Sequence, residues 1–291
     1  MPKSPVRPSP APSERAASGR TPAGKAGDRA ARAAGSGPGA SHAGGDSPKG
    51  QLAAFVPFPP LTEGVLVRRY KRFLADVEIP GEGVVTAHTA NTGRMTGCSE
   101  PGRPVWLSRH DSPARKHPWS WEMILMPAGL VGVNTSLPNR LVRLGLAAGA
   151  LPGFPAGGAV ESEVRSGASR LDLRWTPPGD VGGDRACLVE VKSCTWVEGG
   201  RALFPDAASA RGARHLAELE ALALSGRASA LVVVVQRPDG QEFSPADSVD
   251  PAWGRALRSA LKAGVRVVAV EAELSVAGAA LGRELPLILN P

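Results

Sequence analysis

The feature that most constrains this chain is a change of sequence pattern near Asn134. From Leu61 to about Thr135, short β-leaning runs alternate with Gly- and Pro-rich breaks, and no strong helix intervenes. The runs are GVLVRRYKRFLADVEI, GVVTAHTA, RPVWLSR, WSWEMILM and LVGVNT, divided by turn clusters such as IPGEG and CSEPGR. Five or so strands in about seventy-five residues predict a small barrel over 53–133. After Asn134 the pattern differs. NTSLPNRLVRLGLAAGAL predicts a helix, with Asn, Thr and Ser as capping candidates, Pro138 in the first turn and Gly149 near the end. Strands are expected at AVESEVRS, SRLDLRW and ACLVEVKSC, a helix over about Ser209–Leu224, and a buried strand at ALVVVVQ. A helix over Ala252–Ala263 and the strand VRVVAVEAEL complete the pattern. Three strands, then helix–strand–helix–strand, make 134–291 an α/β domain with a mixed sheet.

Charge is unevenly placed. The formal net charge is +7, but residues 1–50 hold eight Lys/Arg and three Asp/Glu, which leaves +2 for residues 51–291. Residues 1–52 are mostly Ala, Gly, Pro and Ser without periodicity, a composition that cannot offset chain entropy and reads as disordered. Such a basic tail holds phosphates weakly; a solubilising extension, a transit segment or a misplaced start codon remain open readings. No apolar run approaches the roughly 20 residues needed to span a bilayer, and no secretory signal opens the chain. Cys98, Cys187 and Cys194 are odd in number and unlike a zinc or redox pair, so they read as reduced thiols in a cytoplasmic protein.

One stretch carries candidate chemistry. In LVEVKSC, strand alternation sends Val189 and Val191 one way and Glu190 and Lys192 the other. The bland reading is a half-buried strand with a wet face. By the same parity Arg170, Asp172 and Arg174 share one face of SRLDLRW, and Leu171 and Leu173 the other. Asp172 then lies on the polar side of a strand that neighbours Glu190 and Lys192, and Glu163 is near enough in sequence to join them. Asp plus Glu-x-Lys on paired strands suits a Mg²⁺- or Mn²⁺-dependent phosphodiesterase. The carboxylates hold one or two hard cations through oxygen, and the lysine orients water or steadies developing charge. Lysine usage points the same way. The chain has 27 Arg and 7 Lys, and Lys192 is the sole lysine between Lys116 and Lys262. A solvated face would more often have taken Arg, whereas a compact ammonium approaches water or phosphate as a point charge.

RYKRFLADV, NTGRMTGC, VNTSLPNRL, SEVRSGASRLDL, VEVKS, FPDAASARGARHLAEL and FSPADSVD resemble, in order, signature stretches of the sugar fermentation stimulation protein A (SfsA) family. The resemblance covers about residues 61–290. It implies DNA binding, an N-terminal OB-like barrel and a C-terminal domain like the PD-(D/E)xK nucleases. Carried over, the nuclease-like positions are Asp172, Glu190 and Lys192, with Glu163 as a fourth. The residue before the Asp is Leu171, where many nucleases of that group have Pro.

On an OB-like barrel, cations track phosphates and aromatics offer stacking platforms. The run RRYKRF therefore makes Arg68, Arg69, Tyr70, Lys71 and Arg72 candidates for nucleic acid, with Phe73 as core and ordinary surface cations as the alternative. NTGRMTGC reads as a glycine loop that approaches a phosphate, or as a plain tight turn. Trp106, Trp119 and Trp121 read as barrel core. Arg211, Arg214, His215 and Glu218 share a narrow arc of the helix after Pro205, which either faces the site or is solvated. No Walker loop, dinucleotide fingerprint, paired-His zinc motif or nucleophile elbow occurs. Two functional readings follow. One is a DNA-cleaving enzyme that uses Mg²⁺ or Mn²⁺ on single- or double-stranded DNA, with no small-molecule cofactor. The other is a DNA-binding regulator of sugar metabolism whose nuclease-like site is idle.

Overall fold

A three-residue strand, β1 (Phe55–Pro57), precedes β2 (Leu61–Tyr70), β3 (Leu74–Ile79), β4 (Gly83–His88), β5 (Pro104–Arg109), β6 (Trp119–Met126) and β7 (Gly129–Gly132). The structure is a computed structural model that describes residues 54–166 and 169–290, so the basic tail expected over 1–52 lies outside the described residues. Strands β2 to β7 form one sheet in the order β4-β3-β2-β5-β6-β7, and a parallel pairing of β4 with β6 at Ala87↔Trp119 and His88↔Ser120 closes it. Closure removes the unpaired edges that an open sheet of this size would present. Leu66, Val77, Val105, Leu107, Trp119, Trp121 and Ile124 fill the interior, and Met95 and Cys98 from the following loop plug it. Trp119 and Trp121 are core as expected, while Trp106 is half-buried.

The run expected as one long strand is a hairpin. β2 ends at Tyr70, and Lys71 and Arg72 take positive φ angles of 48° and 66° before β3 begins at Leu74. Such angles normally select Gly or Asn, so the turn carried no sequence signal. Phe73, for which a core position was the alternative reading, is exposed.

After the barrel come α1 (Leu137–Ala148), β8 (Ala159–Ser166), β9 (Ser169–Thr176), β10 (Cys187–Cys194), β11 (Trp196–Glu198), β12 (Arg201–Phe204) and α2 (Ala210–Leu224). The chain continues with β13 (Ser229–Val235), β14 (Glu242–Pro245), α3 (Pro251–Lys262), β15 (Arg266–Ser275) and β16 (Gly278–Leu285). Seven strands run in the order β1-β16-β15-β13-β10-β9-β8, with β10–β13 and β13–β15 parallel and the other pairings antiparallel. β1 precedes the barrel in sequence, yet it pairs with β16 through Phe55↔Ala280 and Pro57↔Gly278. A small sheet, β11-β12-β14, lies apart from the seven.

The central strands are buried on both faces, so their sequences are nearly continuous apolar runs. On one face Leu141, Val142 and Leu146 of α1 pack against Val189, Val191, Val232 and Val234. On the other, Leu216 and Leu219 of α2 and Trp253 and Leu257 of α3 pack against Leu188, Leu231 and Val233. Gly149 closes α1 at φ 71°, a left-handed conformation that a side chain would strain. No helix among the described residues is long and apolar enough to cross a membrane. The three cysteines are buried and free, and burial pushes their thiols up, Cys98 to about 11 and Cys187 and Cys194 to about 12.

Barrel and sheet are joined by polar anchors. Buried Arg237 donates to the carbonyls of Gly97 (3.1 Å) and Thr195 (3.2 Å) and pairs with Asp239 at 2.7 Å. Gln236 receives Gly132 N–H on its carbonyl at 3.0 Å, and its amide donates to Ser193 Oγ at 2.8 Å. Asp206 accepts Met95 N–H at 2.9 Å. We expect Arg237→Met to cost about 2 kcal/mol, the scale of hydrogen bonds made by a charged group, because two carbonyls and Asp239 lose their donor. Chemical denaturation measures it, and an unchanged midpoint would show that the joint is held elsewhere.

Candidate active site

A cavity of about 340 Å³ opens where the barrel loop 90–93, the start of α1, the C-terminal half of β10 and the first turns of α2 converge. Asp172, Glu190, Lys192, Arg211 and His215 all line it, together with Asn139 and Asp206. The topology explains the first three. β9 pairs with β10 from Cys187↔Trp175 to Val189↔Leu173 and no further. The next opposed residues would be Glu190 and Asp172, and there the strands part. The Asp172 carboxylate fills the gap: Oδ2 accepts the backbone N–H of Val191 at 2.8 Å, and Oδ1 accepts from Asn139 Nδ2 at 3.1 Å. The parting also reverses side-chain direction. Leu173 packs on the α1 side with Val189, whereas Leu171 packs on the α2–α3 side with Leu188. Simple parity, which put both leucines on one face, therefore fails beyond Leu173.

Glu190 corrects the expectation of a wet strand face. It shares the parity of Leu188 and Cys194, lies under α2 and is only 2 % exposed. Its Oε1 receives Lys192 Nζ at 2.5 Å and Nδ1–H of His215. Arg211 Nε donates to His215 Nε2 at 3.4 Å, which assigns the imidazole proton to Nδ1. Buried Oε2 of Glu190 has no hydrogen-bond partner among the described residues. Burial, and then the charge of Glu190, push the Asp172 carboxyl above the usual carboxylate range, opposed by Val191 N–H, Lys192 and Asn139. Two close, poorly solvated carboxylates with one oxygen unmatched fit a hard divalent cation that takes oxygen ligands. No group of three or more His, Cys, Asp or Glu that could hold a metal occurs among the described residues, so water and substrate would complete the shell.

Other expected residues lie elsewhere. Glu163 falls opposite Asp172, between the pairs Ser162↔Leu173 and Val164↔Leu171, but has φ 62° and an exposed carboxylate paired with Arg170. It does not line the cavity, and an expected fourth acid is thus spent on a surface ion pair. Arg214 is exposed and also off the cavity. In the barrel, Arg68 pairs with Asp76 at 2.8 Å, and Tyr70 OH donates to the same carboxylate at 3.0 Å. Arg69 donates to the carbonyls of Asn91 (3.0 Å), Gly93 (2.8 Å), Arg94 (3.3 Å) and Arg72 (2.5 Å). It braces the loop that walls the site instead of standing free. Lys71 and Arg72 are exposed on the hairpin turn.

Asn139, Asn91 and Asp206 were missed as site residues, although each lies inside a stretch singled out above. Gly93 leaves room for Asp206: an added Cβ would stand 2.6 Å from its Oδ1. The amides of Gly93 and Met95 are already bonded to Asn91 and Asp206, so this loop is not built mainly to offer free N–H groups.

A closed OB-type barrel, followed by a mixed α/β sheet with Asp172 and Glu-x-Lys on adjoining strands, defines a two-part fold whose second part is of the PD-(D/E)xK type. The chain belongs to the sugar fermentation stimulation protein (SfsA) family. Residues 67–133 match the domain described as SfsA N-terminal OB domain, and residues 136–278 match the Sugar fermentation stimulation protein RE domain. The chain is 44% identical over 230 residues to the sugar fermentation stimulation protein homolog of Geobacter metallireducens, covering 79% of this chain and 98% of that protein. It is 48% identical over 232 residues to the homolog of Alkalilimnicola ehrlichii, covering 78% and 97%. The structure of Pyrococcus furiosus SfsA in complex with Ca²⁺ superposes with a TM-score of 0.73 at 27% identity, covering 81% of this chain and 99% of that one.

The raised Asp172 carboxyl has a stability consequence. A group whose pKa rises on folding favours its neutral form in the native state, so native stability falls as pH climbs through the raised value. In EDTA at neutral pH, Asp172→Asn should therefore melt at the same temperature as the parent or higher, and its advantage should vanish near pH 4. A markedly lower melting point at neutral pH would mean that the carboxylate stabilises the metal-free fold.

Proposed function

We propose that this protein is a Mg²⁺- or Mn²⁺-dependent phosphodiesterase that acts on DNA bound with help from the barrel. The observation that carries the reading is the buried, unmatched Oε2 of Glu190 beside the desolvated Asp172, with Lys192 on the same strand. The Pyrococcus furiosus relative is described in complex with Ca²⁺, which supports a hard, oxygen-loving divalent cation as a ligand of this fold.

Asp172 and Glu190 would hold the cation, which when bound polarises the phosphoryl group and lowers the pKa of the attacking water. Lys192 has three N–H donors and spends one on Glu190, leaving two for water or a phosphate oxygen. His215 fixes the orientation of Glu190 from above, and Arg211, one turn earlier on α2, offers its remaining donors at the cavity mouth to a flanking phosphate. Asn139 and Val191 N–H position Asp172 and leave lone pairs free on both oxygens. The second reading, a DNA-binding regulator with an idle site, draws support from the partners Glu190 already has: Lys192 offsets its charge and His215 donates a hydrogen bond to it without a cation.

Incubation with labelled single- and double-stranded DNA and Mg²⁺, Mn²⁺ or EDTA separates the two. We expect metal-dependent cleavage that falls at least about 100-fold in Lys192→Ala and in Glu190→Gln, the scale of a lost catalytic donor or base. Undiminished cleavage in both variants would mark a contaminant. DNA binding without cleavage by folded parent protein would leave the regulator.

The hairpin gives a separate expectation. Lys71 and Arg72 are its exposed cations and make no ion pair among the described residues, so changing both to Ala should reduce the slope of log affinity against log salt by about 1.4–1.8. An unchanged slope would move the DNA path off this turn.

A further inference from the structure

Beyond Ala90 lies a second cavity of about 250 Å³, and Ala90 lines both. The first turn of α1 separates them. Asn139 faces the Asp172 site, while Arg140 lines the second cavity. Three more basic side chains reach this cavity from the barrel: His88, His110 and Arg115. Among the described residues neither Arg115 nor Arg140 makes an ion pair, and Arg115 Nη1 donates only to Ser120 Oγ, at 3.1 Å. Two guanidiniums with no ion-pair partner at one cavity contribute a positive field that attracts an anion.

The cavity has one carboxylate, Glu122, whose oxygens both have hydrogen-bond donors already and whose single charge is outnumbered by the two guanidiniums. Glu122 is buried, and its two oxygens accept from Ser108 Oγ at 2.6 Å and Asn134 Nδ2 at 2.7 Å. Ser108 has spent its proton on Glu122, so the 3.1 Å contact to His110 makes Nε2 of that ring the donor and fixes its orientation. Burial first, and then the positive charges of Arg115 and His117, hold His88 below its usual basicity, so this ring acts here as a neutral hydrogen-bonding group. The helix end adds to the positive field. α1 has no acid in its first turn and no side-chain cap bond from Ser136, which also lines the cavity.

We propose that this cavity is an anion subsite for a terminal phosphate monoester of the strand whose phosphodiester lies at Asp172, Glu190 and Lys192. The proposal rests on the phosphodiesterase reading and names its substrate class: DNA ends that carry a phosphate. Charge and size select an end. A monoester carries close to two charges and three acceptor oxygens near neutral pH, which suits two guanidiniums and the Nε2–H of His110 better than a singly charged diester. The volume is below the roughly 300–1,000 Å³ of pockets that enclose drug-sized ligands, so it takes a phosphate with part of a nucleotide but no strand running through.

The test is equilibrium binding in EDTA, where nothing is cleaved, with the full chain and a short single-stranded oligonucleotide. The oligonucleotide ends in a 5′-phosphate, a 3′-phosphate or hydroxyls only. One phosphorylated end should bind about tenfold tighter than hydroxyl ends. Arg115→Gln with Arg140→Gln should erase that preference, while Lys192→Ala keeps it; circular dichroism checks that the double variant is folded. Equal affinity for all three ends, or a preference that survives the double variant, overturns the proposal. A nucleoside monophosphate serves as the second probe. If it alone binds, and needs the two arginines, the terminal-phosphate assignment fails in favour of a free nucleotide site. Retained end preference in a protein that never cleaves would sink the phosphodiesterase reading and leave this subsite standing.

Discussion

A carboxylate on the helix-covered face of a central parallel strand must be compensated by whatever packs above it, and Glu190 is placed there. An isolated buried charge costs several kcal/mol, so burial at this strand position constrains its neighbours. Lys192 comes from the same strand, two residues on, and His215 comes down from α2. The demand for His215 over Glu190 agrees with the apolar register of the helix, since Leu216 and Leu219 then fall on Leu188, Leu231 and Val233. Its N-terminus is held too: Ser209 Oγ accepts Gly212 N–H at 3.2 Å, and Asp250 accepts Ser209 N–H at 2.9 Å. Arg211 reaches the cavity mouth because it lies one helical turn before His215.

Asp172 meets a related demand differently. At the point where β9 leaves β10, the backbone amide of Val191 loses its strand partner, and a side-chain carboxylate takes the vacated place. The same residue therefore ends a ladder and furnishes a negative charge. The outer wall is held with similar economy. Arg69 gathers four loop and turn carbonyls, and Asp206 fastens the loop from the opposite domain, so the cavity is bounded by backbone that is braced from both sides.

Much of this was legible before any coordinates. The strand-rich first half, α1 with Gly149 at its end, the core tryptophans Trp119 and Trp121, and Asp172, Glu190 and Lys192 at one cavity all follow from pattern and chemistry. The expected side-chain cap of α1 is not made, and pattern alone leaves His215 open between the site and solvent. What escaped has identifiable causes. A strand that splays carries no mark in its own alternation, so Leu171 was given the wrong face. A tight turn built on Lys71 and Arg72 lacks the Gly or Asn that announces a hairpin. Arginines look alike in sequence whether they meet phosphate, a carboxylate as Arg68 does, or a bundle of carbonyls as Arg69 does. Glu163 illustrates the same limit for acids, because its pairing with Arg170 depends on a local twist at positive φ.

The short strand β1 matters beyond its three residues. Val56 is buried in the same core as α1, Leu281 N–H bonds to Ala54 at 3.3 Å, and Gly278 lies so close that an added Cβ would stand 2.5 Å from the Val56 carbonyl. The chain thus starts one sheet, detours through the barrel and returns to finish the first. In engineering terms the barrel is an insert, not a module placed in front. Cut out at 61 and 133, it would leave with its ladder closed, and the gap could be bridged by a linker. A fragment begun at 134 is a different object: it would uncover the β16 backbone edge beside Ala279 and Leu281, a ready template for a second copy to pair with.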